Sequence, residues 1–191
     1  MTKTTAIRKT KRRTGAKQSR ASVQPFPRRG HDHDACVERA VAHAVALCAR
    51  RGLDLTSLRR RVLALVWRSH EPIGAYAILR ALRRRGRVDA PPIVYRALEF
   101  LLNHGLIHRI ESRSAYVGCA KPGSAHAGQF MICSKCGATA ELNDKRIGLA
   151  VARGAKRLGF SIERQTIEIT GLCPRCTKPF KRRKKAPRSK R

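Results

Sequence analysis

"PPIVYRALEFLLNHGLIHRIESRSAYVG", residues 91–118, changes its hydrophobic period part-way along. The two prolines suit a first helical turn, where a missing N–H costs nothing. Ile93, Val94, Ala97, Leu98, Leu101 and Leu102 then recur at helical spacing until Gly105 ends the run. Past the glycine, apolar residues alternate on either side of a polar stretch at 111–114, as in a two-stranded hairpin. A hairpin directly behind an amphipathic helix predicts a winged helix if further helices precede it.

Three such helices are legible upstream. "CVERAVAHAVALCARRG" (36–52) spaces Val37, Ala40, Val41, Ala44, Val45 and Leu47 for one buried face and ends on Arg-Arg-Gly. "LTSLRRRVLALVWRSH" (55–70) offers Thr56 as N-cap and Leu58, Val62, Leu65 and Val66 for burial, before Pro72 ends it. "IGAYAILRALRRRG" (73–86) buries Ile78, Leu79 and Leu82, with Gly86 just beyond its end. In a winged helix the last helix before the hairpin enters the major groove. Its polar face here carries Tyr95, Arg96, Glu99 and Asn103. Arg96 suits bidentate contact with guanine N7 and O6 but equally suits a solvated helix surface; Tyr76 and Tyr95 suit either phosphate contact or the edge of the core.

After residue 119 the pattern changes. "GQFMIC" (128–133) and "FSIERQTIEITGL" (160–172) read as strands. Between them, "DKRIGLAVARGAKRLG" (144–159) reads as a helix with Ile147, Leu149, Val151 and Leu158 available for burial. Two cysteine pairs, Cys133/Cys136 and Cys173/Cys176, form C-x2-C-x36-C-x2-C. Each pair can turn at a knuckle and offer two thiolates to one tetrahedral ion. A site closed by four thiolates has no open position for water, so it is structural zinc. A single redox pair would not need its matched partner. Four more ligand-type residues, His108, Cys119, His126 and Glu141, flank the junction between the two halves; each alone reads as an ordinary strand, core, loop or surface residue.

Charge narrows the partners. Against 43 Lys+Arg stand 12 Asp+Glu, a net charge of +31, and residues 1–30 and 177–191 hold ten and nine of the cations with no acid. With few large apolar residues, these stretches read as unfolded basic arms that attract any polyanion by counterion release. No run approaches the roughly 18 apolar residues of a membrane span, and the basic start lacks an apolar signal core, so a cytoplasmic protein without a membrane partner is expected. Seven cysteines, an odd number, point to metal rather than a disulfide framework in a reducing compartment.

Together "LTSLRRRVL", "GAYAILRAL", "PPIVYRALEFLLNHGLIHRIES", "YVGC", "HAGQFMICSKCGATAEL" and "GFSIERQTIEITGLCPRC" resemble the ferric-uptake-regulator family of bacterial metal-dependent repressors, in its zinc-uptake-regulator branch, over about residues 33–176. The resemblance implies an α+β fold: a winged helix-turn-helix DNA-binding domain (31–118), then a small α/β dimerisation domain (119–176) with the four-cysteine zinc site. It also implies a homodimer on a double-stranded DNA operator, two Zn(2+) per chain, and a regulatory zinc held by His108, Cys119, His126 and Glu141. Tyr76, Tyr95 and Arg96 are then the DNA-binding residues. No small-molecule substrate and no enzyme activity are expected. Among family metals, the Cys119 thiolate favours zinc over iron(II) or manganese(II). The His-His-Asp-His cluster of the iron and peroxide sensors, the alternatives within the family, is reduced in "SAHAGQFMIC" to His126. Ser57 departs from the proline usual at its position, and "HDHD" at 31–34 reads equally as an accessory metal site through His31 and His33 or as a polar helix start.

Two readings from other classes compete. A zinc nucleobase deaminase requires His-x-Glu ahead of its cysteines, and no histidine here has Glu two positions on. A zinc-ribbon RNA-binding protein accounts for the arms but leaves residues 91–118 unexplained. If the arms grip phosphates, deleting residues 1–30 or 178–191 weakens binding to all DNA sequences alike and flattens its salt dependence, as gel shifts across a salt series would read; lost operator preference at unchanged non-specific affinity would refute it.

Overall fold

A computed structural model of the chain describes residues 22–24, 26, 32–69, 71–84, 90–124 and 126–177. Its elements are β1 (Ser22–Gln24), α1 (His33–Arg50), α2 (Ser57–Trp67), β2 (Ile73–Gly74), α3 (Ala75–Arg83), α4 (Pro91–Asn103), β3 (Ile107–Ile110), β4 (Ala115–Gly118), β5 (Gly128–Cys133), β6 (Thr139–Asn143), α5 (Lys145–Arg157) and β7 (Thr166–Gly171). Gly86 and most of both basic arms lie outside the described residues.

Local signals start and stop the first four helices. The Asp32 carboxylate caps α1 by accepting from the Ala35 N–H at 3.0 Å, and Thr56 caps α2 from the Arg59 N–H at 3.3 Å. Prolines open α4, and Gly105, at φ 65°, ends it in a conformation costly for any side chain. These helices close over one apolar core that includes Leu47, Val62, Leu63, Val66, Ile78, Leu82, Leu98 and Leu101. Two expected core positions face out instead: Val45 is 37% and Ile93 46% exposed. Cys48 and Leu63 are buried in their helices.

β3 and β4 form the expected hairpin, closed by a 3-10 turn at Glu111–Arg113 and by Ser114 at φ 45°. Ile73 and Gly74, read as the head of the third helix, instead pair with Tyr116 and Ala115 to make a three-stranded sheet of order β2-β4-β3. Helix, helix, helix and hairpin are thus arranged as a winged helix.

The second sheet has the order β1-β6-β5-β7; β5 runs antiparallel to β6 and parallel to β7, with α5 in the crossover. β6 has no alternating pattern because Thr139, Ala140 and Glu141 are all buried. β7 begins only at Thr166, so 160–165 is not strand. Within α5 no residue is buried: Leu149 is 58%, Val151 39% and Leu158 84% exposed, against the expectation that they fill a core. β1 lies within the stretch read as an unfolded arm, yet pairs antiparallel with β6.

Wing and second sheet meet directly. Ile110 and Val117 of the hairpin share an apolar cluster with Phe130 and Ile132 of β5. The Glu168 carboxylate on β7 accepts the backbone N–H groups of Glu111 at 2.6 Å and Ser112 at 3.2 Å. At the last residue of β4, a Cβ on Gly118 would lie 2.1 Å from Trp67 Cε2. Gly118→Ala must therefore push the indole or the strand aside, and a loss of roughly 1–3 kcal/mol is expected from overpacking, read as a lowered Tm and a displaced Cys119.

Candidate metal centres and nucleic-acid interface

Backbone turns build the first centre. Cys133 ends β5, and its carbonyl accepts the Gly137 N–H at 2.9 Å; Cys173 follows β7, and its carbonyl accepts the N–H groups of Cys176 and Thr177, each at 2.9 Å. Gly137 makes the first turn at φ 75°. The strands that carry these turns are joined in parallel register, with Cys133 opposite Gly171. All four Sγ atoms lie within 4.8 Å of one another, and Cys136 and Cys173 are 3.6 Å apart. A Zn–S bond of about 2.3 Å sets a tetrahedral edge of about 3.8 Å, so the donors fit zinc. All four of these cysteines are thiols outside any disulfide. Backbone hydrogen bonds from the Cys173 and Cys136 segments pull the Cys133 thiol down to about 6, while hydrogen bonding with Cys136 and burial push Cys176 up to about 12. Anionic charge in the metal-free set therefore gathers first on Cys133.

The second centre is assembled from four elements: His108 on β3, Cys119 just past β4, His126 ahead of β5 and Glu141 on β6. His126 Nε2 is 2.8 Å from Glu141 Oε1, 3.2 Å from His108 Nε2 and 3.5 Å from Cys119 Sγ. Their four donor atoms also fall within 4.8 Å of one another. Neighbouring groups aim them. The His126 Nδ1–H donates to the Ser124 carbonyl at 2.8 Å, which turns Nε2 inward; the Ala120 N–H occupies Glu141 Oε2 at 2.9 Å, which leaves Oε1 for the centre. Phe130 stands edge-on to the His108 ring, centroids 5.2 Å apart. A Cβ at Gly128 would meet Phe130 Cε2 at 2.6 Å, so a bare backbone is needed there.

Burial alone would neutralise this set, and mutual pairing overrides it. Burial lowers His108, but hydrogen bonds to Cys119 and Glu141 carry it up to about 9. Hydrogen bonds to Cys119 and then Glu141 carry His126 to about 10 against the pull of burial. Glu141, raised by burial, is drawn down to about 2 by His108, His126 and the Ala120 N–H, and Cys119 is likewise lowered by the two imidazoles against burial. Protons on the two imidazoles thus take the part of the cation beside the Glu141 carboxylate and the Cys119 sulfur. One thiolate, two imidazoles and one carboxylate form a closed four-donor set suited to zinc.

On the winged helix, Arg96 is exposed on α4 and forms no ion pair among the described residues. Tyr76 (75% exposed) and Tyr95 (48%) both line one shallow cleft between α3 and α4, with Pro91 and Val94. Arg59 of α2 stacks on Phe100 with its Cζ 3.6 Å from the ring centroid. These side chains form a surface separate from both cysteine-bearing clusters.

Residues 50–170 match the ferric uptake regulator family. The chain belongs to that family. Within it, the Zinc uptake regulation protein of Escherichia coli (strain K12) is 36% identical over 142 residues, 73% of this chain and 82% of that protein. A second Zinc uptake regulation protein, from Mycobacterium tuberculosis (strain CDC 1551 / Oshkosh), is 36% identical over 98 residues, half of this chain and 72% of that protein. Among solved structures, a zinc uptake regulator complexed with zinc and DNA superposes with a TM-score of 0.70 at 35% identity, covering 73% of this chain and 94% of that one. Holo XcZur does so at 0.67 and 42%, covering 71% and 95%. The family match spans His108, Cys119, His126, Glu141, Cys133 and Cys136, whereas Cys173 and Cys176 lie past its end.

Every ligand-type residue singled out from the sequence lies in one of the two clusters. Sequence reading missed their supports: the Ser124 carbonyl and Ala120 N–H have no side-chain signature, while Gly128 inside a strand pattern does signal close approach. Because a metal must displace the protons on His108 and His126, zinc affinity at this centre is expected to rise with pH up to the alkaline pKa values above. Each proton released adds about tenfold per pH unit, read by chelator competition between pH 6 and 8; a flat profile would contradict it.

Proposed function

We propose that this protein is a zinc-responsive repressor of zinc-uptake genes that binds a double-stranded DNA operator as a homodimer in the cytoplasm, without catalytic activity. The observation that carries this reading is the junction cluster, a thiolate-bearing donor set that draws on the wing and on the second sheet at once. Cys133, Cys136, Cys173 and Cys176 would hold one structural zinc and His108, Cys119, His126 and Glu141 one regulatory zinc, two per chain. When bound, the regulatory ion supplies a divalent charge that replaces several protons with one centre of fixed geometry.

The rest is performed by the chain. His108 belongs to the wing and Glu141 to the second sheet, so holding both at one point sets the angle between winged helix and sheet. In a dimer that angle sets the separation of the two α4 helices, and only one separation matches two operator half-sites. A ligand shifts such an equilibrium by its differential affinity for the two arrangements, so free zinc would govern operator occupancy. Arg96 would read a guanine, with Tyr76 and Tyr95 on phosphates. A second copy suits the second domain, where Leu158, Phe160, Ile169 and Leu172 are exposed and β7 is an edge strand among the described residues. Boundaries near 31–118 and 119–176 follow from this division, with the arms adding sequence-independent phosphate affinity. Lys178 onward is the cleaner place to test arm charge, since deleting 1–30 also removes β1.

Metal content with operator binding across a buffered zinc series tests the whole reading: two zinc per chain and zinc-dependent binding to duplex DNA rather than structured RNA are expected. Cys119→Ala should keep a folded dimer with one zinc per chain yet lose zinc-responsive binding. Arg96→Ala should keep both zinc ions and lose about 1–3 kcal/mol of operator discrimination per half-site. Wild-type zinc dependence in Cys119→Ala would place the sensor elsewhere.

A further inference from the structure

β1 lies outside the stretch that matches the family, and it sits in the wrong domain for its place in the chain. Among the described residues the chain passes from the second sheet, at β1, to the winged helix, at α1. Ser22, Val23 and Gln24 pair with Asn143, Leu142 and Glu141 respectively, so the strand runs towards Glu141 and its last pair is with this donor, in the middle of β6. Eight residues separate β1 from α1, which is capped by Asp32 and whose Ala44, Leu47 and Cys48 are locked into the helical core. Helix α1 and β1's partner strand β6 share a cavity: Cys36, Arg39 and His43 of α1 and Glu141 and Asn143 of β6 line one space of about 380 Å³. Cys119 lines the same cavity. Winged helix and second sheet are therefore connected twice, once through residues 119–127 and once through the segment between β1 and α1.

We propose that β1 is a built-in strap that positions Glu141 in the junction centre, so that the N-terminal segment sets how tightly this chain holds its regulatory zinc. The inference rests on the reading of His108, Cys119, His126 and Glu141 as that site. β6 would be an edge strand without β1, free to fray along the segment that bears Glu141. Pairing on its outer side restrains that segment before any metal arrives, which raises the effective concentration of the fourth donor. Coupling of this kind is reciprocal. If β1 strengthens zinc binding, zinc must strengthen β1 pairing by the same factor.

The full-length chain carrying Val23→Pro and Gln24→Pro tests this with its charge unchanged. Successive strand N–H groups point to opposite edges, so one of the two prolines removes a donor facing β6. Zinc itself is the probe, with affinity at the junction centre read by chelator competition and four-thiolate occupancy read as zinc content. The expected result is one tightly held zinc per chain retained and affinity for the second lowered by about fivefold or more. In the wild-type chain, zinc should slow hydrogen exchange across 22–24 and 141–143, and the proline variant should lose that protection. Unchanged affinity for the second zinc in the variant, or exchange at 22–24 indifferent to zinc in the wild type, overturns the strap. A wild-type chain that takes up only one zinc overturns the regulatory-site reading and the strap with it.

Discussion

A buried carboxylate has to find a cation or lose its charge, and Glu141, 6% exposed, is where this protein meets that constraint. Its Oε1 is shared by His126 at 2.8 Å and His108 at 3.3 Å, and its Oε2 takes the Ala120 N–H. To supply those partners the chain must bring β3 of the wing, the residue behind β4, the loop ahead of β5 and β6 to one point. The Ile110, Val117, Phe130 and Ile132 cluster alongside excludes water from the same junction. Polar convergence and apolar contact thus require one mutual placement of wing and second sheet.

That arrangement explains why two clusters of similar size differ in chemistry. The four-thiolate set lies wholly within one sheet and its adjoining turns, on knuckles closed by their own backbone hydrogen bonds. Occupancy there stabilises one unit and reports nothing about the neighbouring one. The mixed set draws on both units, and its protonation in the absence of metal is a weaker version of the same bridge, with imidazolium charges opposing a carboxylate and a thiol. On the proposed reading, replacing several independently held protons by one ion would convert a loose ionic contact into a fixed one, the physical difference a sensor requires.

Charge is distributed to match. Helices α3 and α4 expose Tyr76, Tyr95 and Arg96, while acids such as Glu111, Glu141 and Glu168 are engaged in hydrogen bonds or ion pairs. Arg146 on α5 is paired to its own cap residue Asp144 at 2.5 Å. The remaining positive excess is free to act at long range on a polyanion, speeding encounter without selecting sequence.

Residues 91–118 determined the last helix and the hairpin of the winged helix by themselves, because a 3.6-residue period, prolines at a first turn, a terminal glycine and an alternating hairpin are all local rules. Paired cysteines at fixed spacing likewise determined a four-thiolate centre, since each knuckle is a short-range turn. Tertiary structure alone decided the rest. Val45, Ile93 and the apolar side of α5 show that periodicity finds an amphipathic face without saying whether this chain or another covers it. β6 has no alternation because neighbours bury both of its faces, and β1 is too short and polar to announce itself until β6 offers an edge. The junction centre is of this second kind: His108, Cys119, His126 and Glu141 stand at unrelated spacings and are each ordinary alone. They become a site only because strands distant in sequence are adjacent in space, a long-range pairing that no local pattern encodes.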